Sequence, residues 1–97
     1  MILQNLNNIN SGNFPVVIFG SGPAGITTAL ELEKKNIKCL LIEAGGEDYS
    51  DTSQEFYKGK IIGDLITNLS LNRLRQFGGT SGHWGGWSKP MEEYNFE

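Results

Sequence analysis

Cysteine, histidine and clustered positive charge are all scarce in this chain, and each scarcity removes a class of function. Cys39 is the only cysteine among 97 residues, so no disulfide framework or cysteine metal cluster is available. The expectation is a protein of a reducing, cytoplasmic compartment, with Cys39 an inert small hydrophobe in a strand. His83 is the only histidine, and no group of matching ligands accompanies it, which argues against a metal site. Lys and Arg number 8 against 11 Asp and Glu, a net charge of −3. Nonspecific phosphate binding needs clustered cations, so no nucleic-acid partner is expected. No apolar run exceeds four residues, far short of a membrane-spanning helix. The first 13 residues carry five Asn and no Lys or Arg. They lack the basic start and apolar centre of a signal peptide, and residues 1–14 read as a loosely held polar leader.

Glycine is what the sequence has in quantity. Ten of its 13 glycines fall in three short clusters, at 20–25, 45–46 and 78–86. The first follows Val16-Val17-Ile18-Phe19, a β-branched and aromatic run suited to a strand buried on both faces of a parallel sheet. From Ala24 to Lys35 the residues favour helix, with Gly25, Thr28, Ala29 and Leu32 spaced to give a small-residue face that could lie against a sheet. Asn36 ends that helix, and Lys38 to Ile42 reads as a second buried strand. Strand, glycine turn, helix and strand within about 30 residues make one βαβ unit. The fold class expected is therefore α/β, the N-terminal βαβ of a Rossmann-like FAD/NAD(P)-binding domain with an incomplete parallel sheet. Residues 15–97 are read as a partial domain of this kind. The stretch Glu47–Glu55, with four acids in nine residues, reads as a solvated loop or short helix. Phe56 to Leu74 has no clean period.

Gly20-Ser21-Gly22-Pro23-Ala24-Gly25 matches G-x-G-x-x-G in the context the motif requires, after a strand and opening a helix. Gly20 permits the tight turn, Gly22 lets the backbone approach a pyrophosphate, and Gly25 lets the helix pack closely on the sheet. The helix start offers free N–H groups and partial positive charge, and Pro23 loses no hydrogen bond in the first turn. Glu43 stands 18 residues beyond Gly25, near the spacing expected of the acid that accepts from a ribose 2′-hydroxyl and repels a 2′-phosphate. These residues, with Ala44 beside Glu43, are candidate dinucleotide-binding positions. The motif alone does not separate FAD from NAD.

The third cluster runs Arg75-Gln76-Phe77-Gly78-Gly79-Thr80-Ser81-Gly82-His83-Trp84-Gly85-Gly86-Trp87. Together with Gly20–Gly25 and Ile42-Glu43-Ala44-Gly45-Gly46, it resembles the N-terminal region of the glucose-methanol-choline oxidoreductases, closest to their bacterial sugar- and polyol-oxidising members and to pyranose oxidase. The resemblance implies an FAD enzyme that takes a hydride from an alcohol carbon onto the flavin. It implies that Arg75, Gly78, Gly79, Ser81, His83, Trp84, Gly85 and Gly86 lie along the pyrophosphate, ribityl and ring of FAD. It raises the question of a covalent flavin link through His83, the alternative being a histidine that packs or hydrogen-bonds near the ring. Paired glycines that let backbone N–H groups approach, and the hydroxyls of Thr80 and Ser81, agree with it physically.

In that family the substrate site and the catalytic base lie C-terminal to the region matched. No residue of 1–97 offers the base, and no catalytic residue is assigned. The reading is an N-terminal fragment of an FAD-dependent oxidoreductase acting on the CH–OH group of a small-molecule sugar or alcohol, with its substrate site outside this sequence. Two alternatives stand beside it: an FAD-binding fragment of another flavoenzyme class, such as a disulfide-reductase-like or amine-oxidase-like protein, and a non-catalytic dinucleotide-binding remnant.

Overall fold

A computed structural model describes residues 2, 3, 5, 7, 9–63, 68–83, 85 and 90–96. Two strands, β1 (Val16–Phe19) and β2 (Cys39–Ile42), flank one helix, α1 (Pro23–Lys34). The strands pair in parallel, Val16 opposite Cys39 through to Phe19 opposite Ile42. A parallel pair needs a crossover, and α1 is that crossover. The expected α/β, βαβ architecture is what the chain forms. Gly20 extends the ladder by one bond, its N–H donating to Ile42 O at 2.8 Å.

The helix stops through its last turn. Asn36 takes φ +57°, a left-handed conformation that asparagine tolerates better than most residues. The Ile37 N–H then reaches Leu32 O at 2.9 Å and the Asn36 N–H reaches Glu33 O at 2.8 Å, the paired bonds of a Schellman cap. The helix begins one residue earlier than the sequence suggested and ends one earlier. Thr28 is exposed rather than facing the sheet, and its Oγ1 donates to Ala24 O at 2.8 Å. Ile26 is half-buried, as are Gly25, Ala29 and Leu32.

Strand burial departs from the expectation. In β1, Val16 and Ile18 are half-buried while Val17 and Phe19 are exposed, Phe19 at 80%. Ile18 lies under α1, its Cγ2 3.4 Å from where a Cβ on Gly25 would sit. Helix α1 packs on one face, while on the other Val17 and Phe19 stay exposed and their β2 partners Leu40 and Ile42 are half-buried. No hydrophobic residue among them is fully buried. A period-2 exposure therefore replaces the two-sided burial that the apolar run predicts.

Beyond β2 the chain makes helix α2 (Asp51–Gln54), a 3-10 turn over Glu55–Tyr57, helix α3 (Leu69–Asn72) and a 3-10 turn over Gly79–His83. Ser50 caps α2 by accepting from the Ser53 N–H at 3.2 Å. Within the stretch read as a solvated acidic segment, Ser53 and Gln54 are buried. Residues 75–77 then return beside the end of β2. Gly46 and Gln76 form a parallel bridge, and the Phe77 N–H donates to Gly46 O at 2.8 Å. A Cβ on Gly45 would lie 2.2 Å from Arg75 O, so Gly45 admits a neighbouring backbone at a distance no side chain allows.

Candidate functional site

The C-terminal ends of β1 and β2, the start of α1 and residues 73–81 enclose an open cleft of about 990 Å³. Its position outside the carboxyl ends of parallel strands is where open α/β sheets bind ligands. Of the residues singled out in the sequence, Gly20, Gly22, Pro23, Glu43, Ala44, Arg75, Gly79 and Ser81 line it.

The first turn divides its glycines by task. Gly20 takes φ +96°, a backbone that side chains rarely adopt. A Cβ on Gly25 would fall 2.0 Å from Gly20 O, so α1 sits on the turn only because Gly25 has none. Gly22 differs: its φ is −67° and a Cβ there would meet nothing within 4 Å. Space, not strain, is what Gly22 contributes. Gly22 is also the N-cap of α1 and no side chain caps the helix start, leaving the first N–H groups and the positive end of a 12-residue helix at the cleft.

Ser21 is the only fully buried residue described, at 0% exposure, and it lies behind the cleft wall. Its N–H and Oγ–H both donate to Glu43 Oε2, at 2.8 and 2.7 Å. The other carboxylate oxygen accepts from the N–H groups of Ala44 and Gly45, at 2.9 and 2.8 Å. Burial by itself raises the Glu43 carboxyl, but these four donors outweigh it and hold its pKa below the ordinary 4.5. A carboxylate has about four acceptor positions, and all four are occupied by this chain. Glu43 thus stands where the spacing placed it, on the cleft, but engaged by protein donors rather than free. A ribose hydroxyl would have to take the place of one of these donors.

The 78–79 turn is fastened to the same point. The Gly78 N–H donates to Ser21 Oγ at 3.1 Å. Gly78 and Gly79 take φ +83° and +62°, and a Cβ on Gly79 would lie 3.3 Å from Gly22 Cα. The Ser81 hydroxyl donates internally, and the Thr80 hydroxyl oxygen accepts internally while Thr80 lines the cleft. Ser81 Oγ donates to Gly78 O at 2.6 Å, and Thr80 Oγ1 accepts from the Leu74 N–H at 3.2 Å. Arg75 lines the cleft, but its guanidinium donates to Ser53 Oγ at 3.0 Å and stands 4.6 Å from the Phe56 ring centroid.

Ala24 is exposed beside the helix start. His83 and Gly85 are exposed and do not line the cleft. Trp84, Gly86 and Trp87 lie outside the described residues. Sequence reasoning passed over Tyr57, Arg73 and Gln76, which also line the cleft, and the buried Gln54. The Gln54 amide donates to Ser70 O at 2.9 Å and to Arg73 O, and its carbonyl accepts from the Arg75 N–H at 3.2 Å. This one side chain brackets the segment that carries both arginines. No motif announces it, because its partners are backbone groups up to 21 residues away.

Comparison with known proteins bears directly on this geometry. Residues 13–78 match the family described as the FAD binding domain. The chain belongs to that family. FAD is its cofactor. Among curated proteins, the thioredoxin reductases of Bacillus subtilis (strain 168) and Listeria monocytogenes are similar to it, 33% and 34% identical over 70 residues. The match covers 67% of this chain and 22% of each reductase, so the chain spans about a fifth of the length of the relatives it matches. No solved structure matches it.

The glucose-methanol-choline resemblance is overturned by these matches, which are to a different FAD family and to reductases. Gly20–Gly25 and Glu43 are features shared by many dinucleotide domains, so they could not choose among them. The glycines at 78 and 79, taken as that family's mark, serve here a left-handed turn under a packed backbone. The sugar or alcohol substrate, and the covalent flavin at His83, rested on that resemblance and lose their basis with it.

The residues of this FAD binding domain fit the cofactor's ADP half. Open space stands above Gly20 and Gly22, the uncapped start of α1 faces it, and Gln76 Oε1 on the same wall is buried without a hydrogen-bond partner among the described residues. Among the described residues no helix is long and apolar enough to cross a membrane.

Proposed function

We propose that residues 15–97 hold the ADP half of FAD for an FAD-dependent oxidoreductase. The observation that carries this reading is the meeting, in one cleft, of an uncapped helix start, an unobstructed Gly22 and the Glu43 carboxylate. The pyrophosphate lies over Gly22 and the first N–H groups of α1, where anions are stabilised by free donors and the helix dipole. Glu43 faces the adenosine ribose and accepts from its hydroxyls in exchange for one of the four protein donors that hold its carboxylate. A 2′-phosphate there would meet like charge. The 78–79 turn lines the route from the pyrophosphate onward, and Arg73 and Arg75 supply positive potential to the same cleft. Bound flavin supplies the acceptor for a hydride or for electrons.

Kinship to reductases favours oxidoreductase chemistry over a bare nucleotide store.

Titration of the chain with FAD, followed by quenching of flavin fluorescence, tests the proposal. Wild-type chain binds FAD, and Gly22→Val weakens it at least tenfold by filling the space the pyrophosphate needs. Equal affinity of the two proteins, or no binding by either, overturns it.

A further inference from the structure

We propose that Ser21 is a positioning residue that couples the Glu43 carboxylate to the Gly78–Gly79 turn, so that the ribose side and the pyrophosphate side of the cleft are set together. The proposal rests on the placement of FAD given above, and it goes further by assigning work to a residue that touches no ligand.

A hydroxyl has one proton to donate. Gly78 is a backbone N–H and can only donate, so Ser21 Oγ accepts from it at 3.1 Å. The single Ser21 hydroxyl proton is thereby directed to Glu43 Oε2, 2.7 Å away. The Ser21 N–H meets the same oxygen at 2.8 Å. Ser21 itself is 0% exposed, so its N–H and hydroxyl depend on these protein partners, and in such a site hydrogen bonds polarise one another.

All four donors around Glu43 point inward. A proton arriving on either oxygen therefore displaces one of them, Ser21 on one side or Ala44 and Gly45 on the other. A ribose hydroxyl entering as donor competes in the same way. When Ser21 loses its acceptor, its hydroxyl turns, and the Gly78 N–H loses its own. Gly78 opens the turn whose next residue lies against Gly22, the residue that gives the pyrophosphate its space. The chain of contacts thus runs Glu43, Ser21, Gly78, Gly79, Gly22, from one end of the cleft to the other.

The charged groups around Glu43 do not obscure this coupling. The 20–22 turn carries none. The segment after Glu43 brings Glu47 and Asp48, both exposed. The 73–79 segment brings Arg73 and Arg75, both on the cleft. His83 does not line the cleft.

The test is a pH titration of the chain by NMR, with glutamate side-chain carboxyls and glycine amides observed together. In the wild-type chain the Glu43 midpoint falls below 4.5, and the Gly78 amide shifts with that same midpoint. In Ser21→Ala the Glu43 midpoint moves up, and the Gly78 amide no longer follows it. Ser21→Cys, similar in shape with a weaker donor and acceptor, restores part of the correlation; a purely space-filling role predicts no such grading. A Gly78 amide that is flat through the wild-type Glu43 titration overturns the proposal, as does tracking that persists in Ser21→Ala. If Ser21→Ala does not fold, the wild-type and Ser21→Cys titrations decide. Adding FAD separates the two readings: coupled titration without FAD binding overturns the functional proposal alone, and FAD binding without coupling overturns this one alone.

Discussion

Ser21 meets Glu43 twice, its N–H at 2.8 Å and its hydroxyl at 2.7 Å from the same carboxylate oxygen, across 22 residues of chain. This pair ties the turn after β1 to the end of β2 at the rim of the cleft. The contact is electrostatically strong because the acceptor is charged, and it makes the site's integrity depend on that charge.

Acid should therefore act on the fold through Glu43. Its folded pKa is depressed below 4.5, so it contributes stability above the unfolded value, and that contribution is lost as pH falls through the folded value. Urea melts between about pH 7 and pH 3 should show stability declining below about pH 4.5. Glu43→Gln should be less stable at neutral pH and lose less on acidification. Equal acid sensitivity in the two proteins would remove Glu43 from the account.

The turn glycines should separate folding from binding. Gly25→Ala sets a Cβ 2.0 Å from Gly20 O, a backbone clash that side-chain movement cannot relieve. It should cost at least about 3 kcal/mol, the upper end of ordinary overpacking. Gly22→Ala meets nothing within 4 Å and should change stability by no more than about 0.5 kcal/mol while weakening FAD. Denaturant midpoints and flavin fluorescence on both variants read the difference.

Gly45→Ala should detach the returning segment. The added Cβ would lie 2.2 Å from Arg75 O and 2.6 Å from Gln76 Cα, so residues 75–76 must move and the Gly46–Gln76 bridge with them. Hydrogen exchange at the Phe77 amide, which bonds to Gly46 O, should speed up more than exchange at Gly20. Unchanged Phe77 protection would show that the segment is held by other contacts.

Gln54 should matter more than its position in an acidic stretch suggests. Gln54→Ala removes two donors and one acceptor from the Ser70–Arg75 backbone and should cost about 1–3 kcal/mol, as unsatisfied buried polar groups do. Gln54→Glu should cost more, because a carboxylate placed against the carbonyls of Ser70 and Arg73 repels where the amide donated. Thermal melts of the two variants check the order.

Local rules carried the first half of the site. The run Val16–Phe19, the G-x-G-x-x-G turn and the acid 18 residues on place β1, α1, β2 and Glu43 because each depends on near neighbours and on backbone sterics. The sequence by itself determined the βαβ unit and the conformational need for Gly20 and Gly25, and it allowed FAD and NAD alike. It did not determine the class of flavoenzyme, since short glycine patterns meet backbone requirements that many folds share.

Tertiary structure decided what those residues do with their hydrogen bonds. Only the fold brings Gly78 to Ser21, 57 residues apart, or Gln54 to the Arg75 backbone. Only the fold turns Thr80, Ser81 and Arg75 to internal partners. Even the strand burial belonged to this level: an apolar run states what it could bury, but Phe19 is covered only if another layer lies against it, and α1 covers the other face.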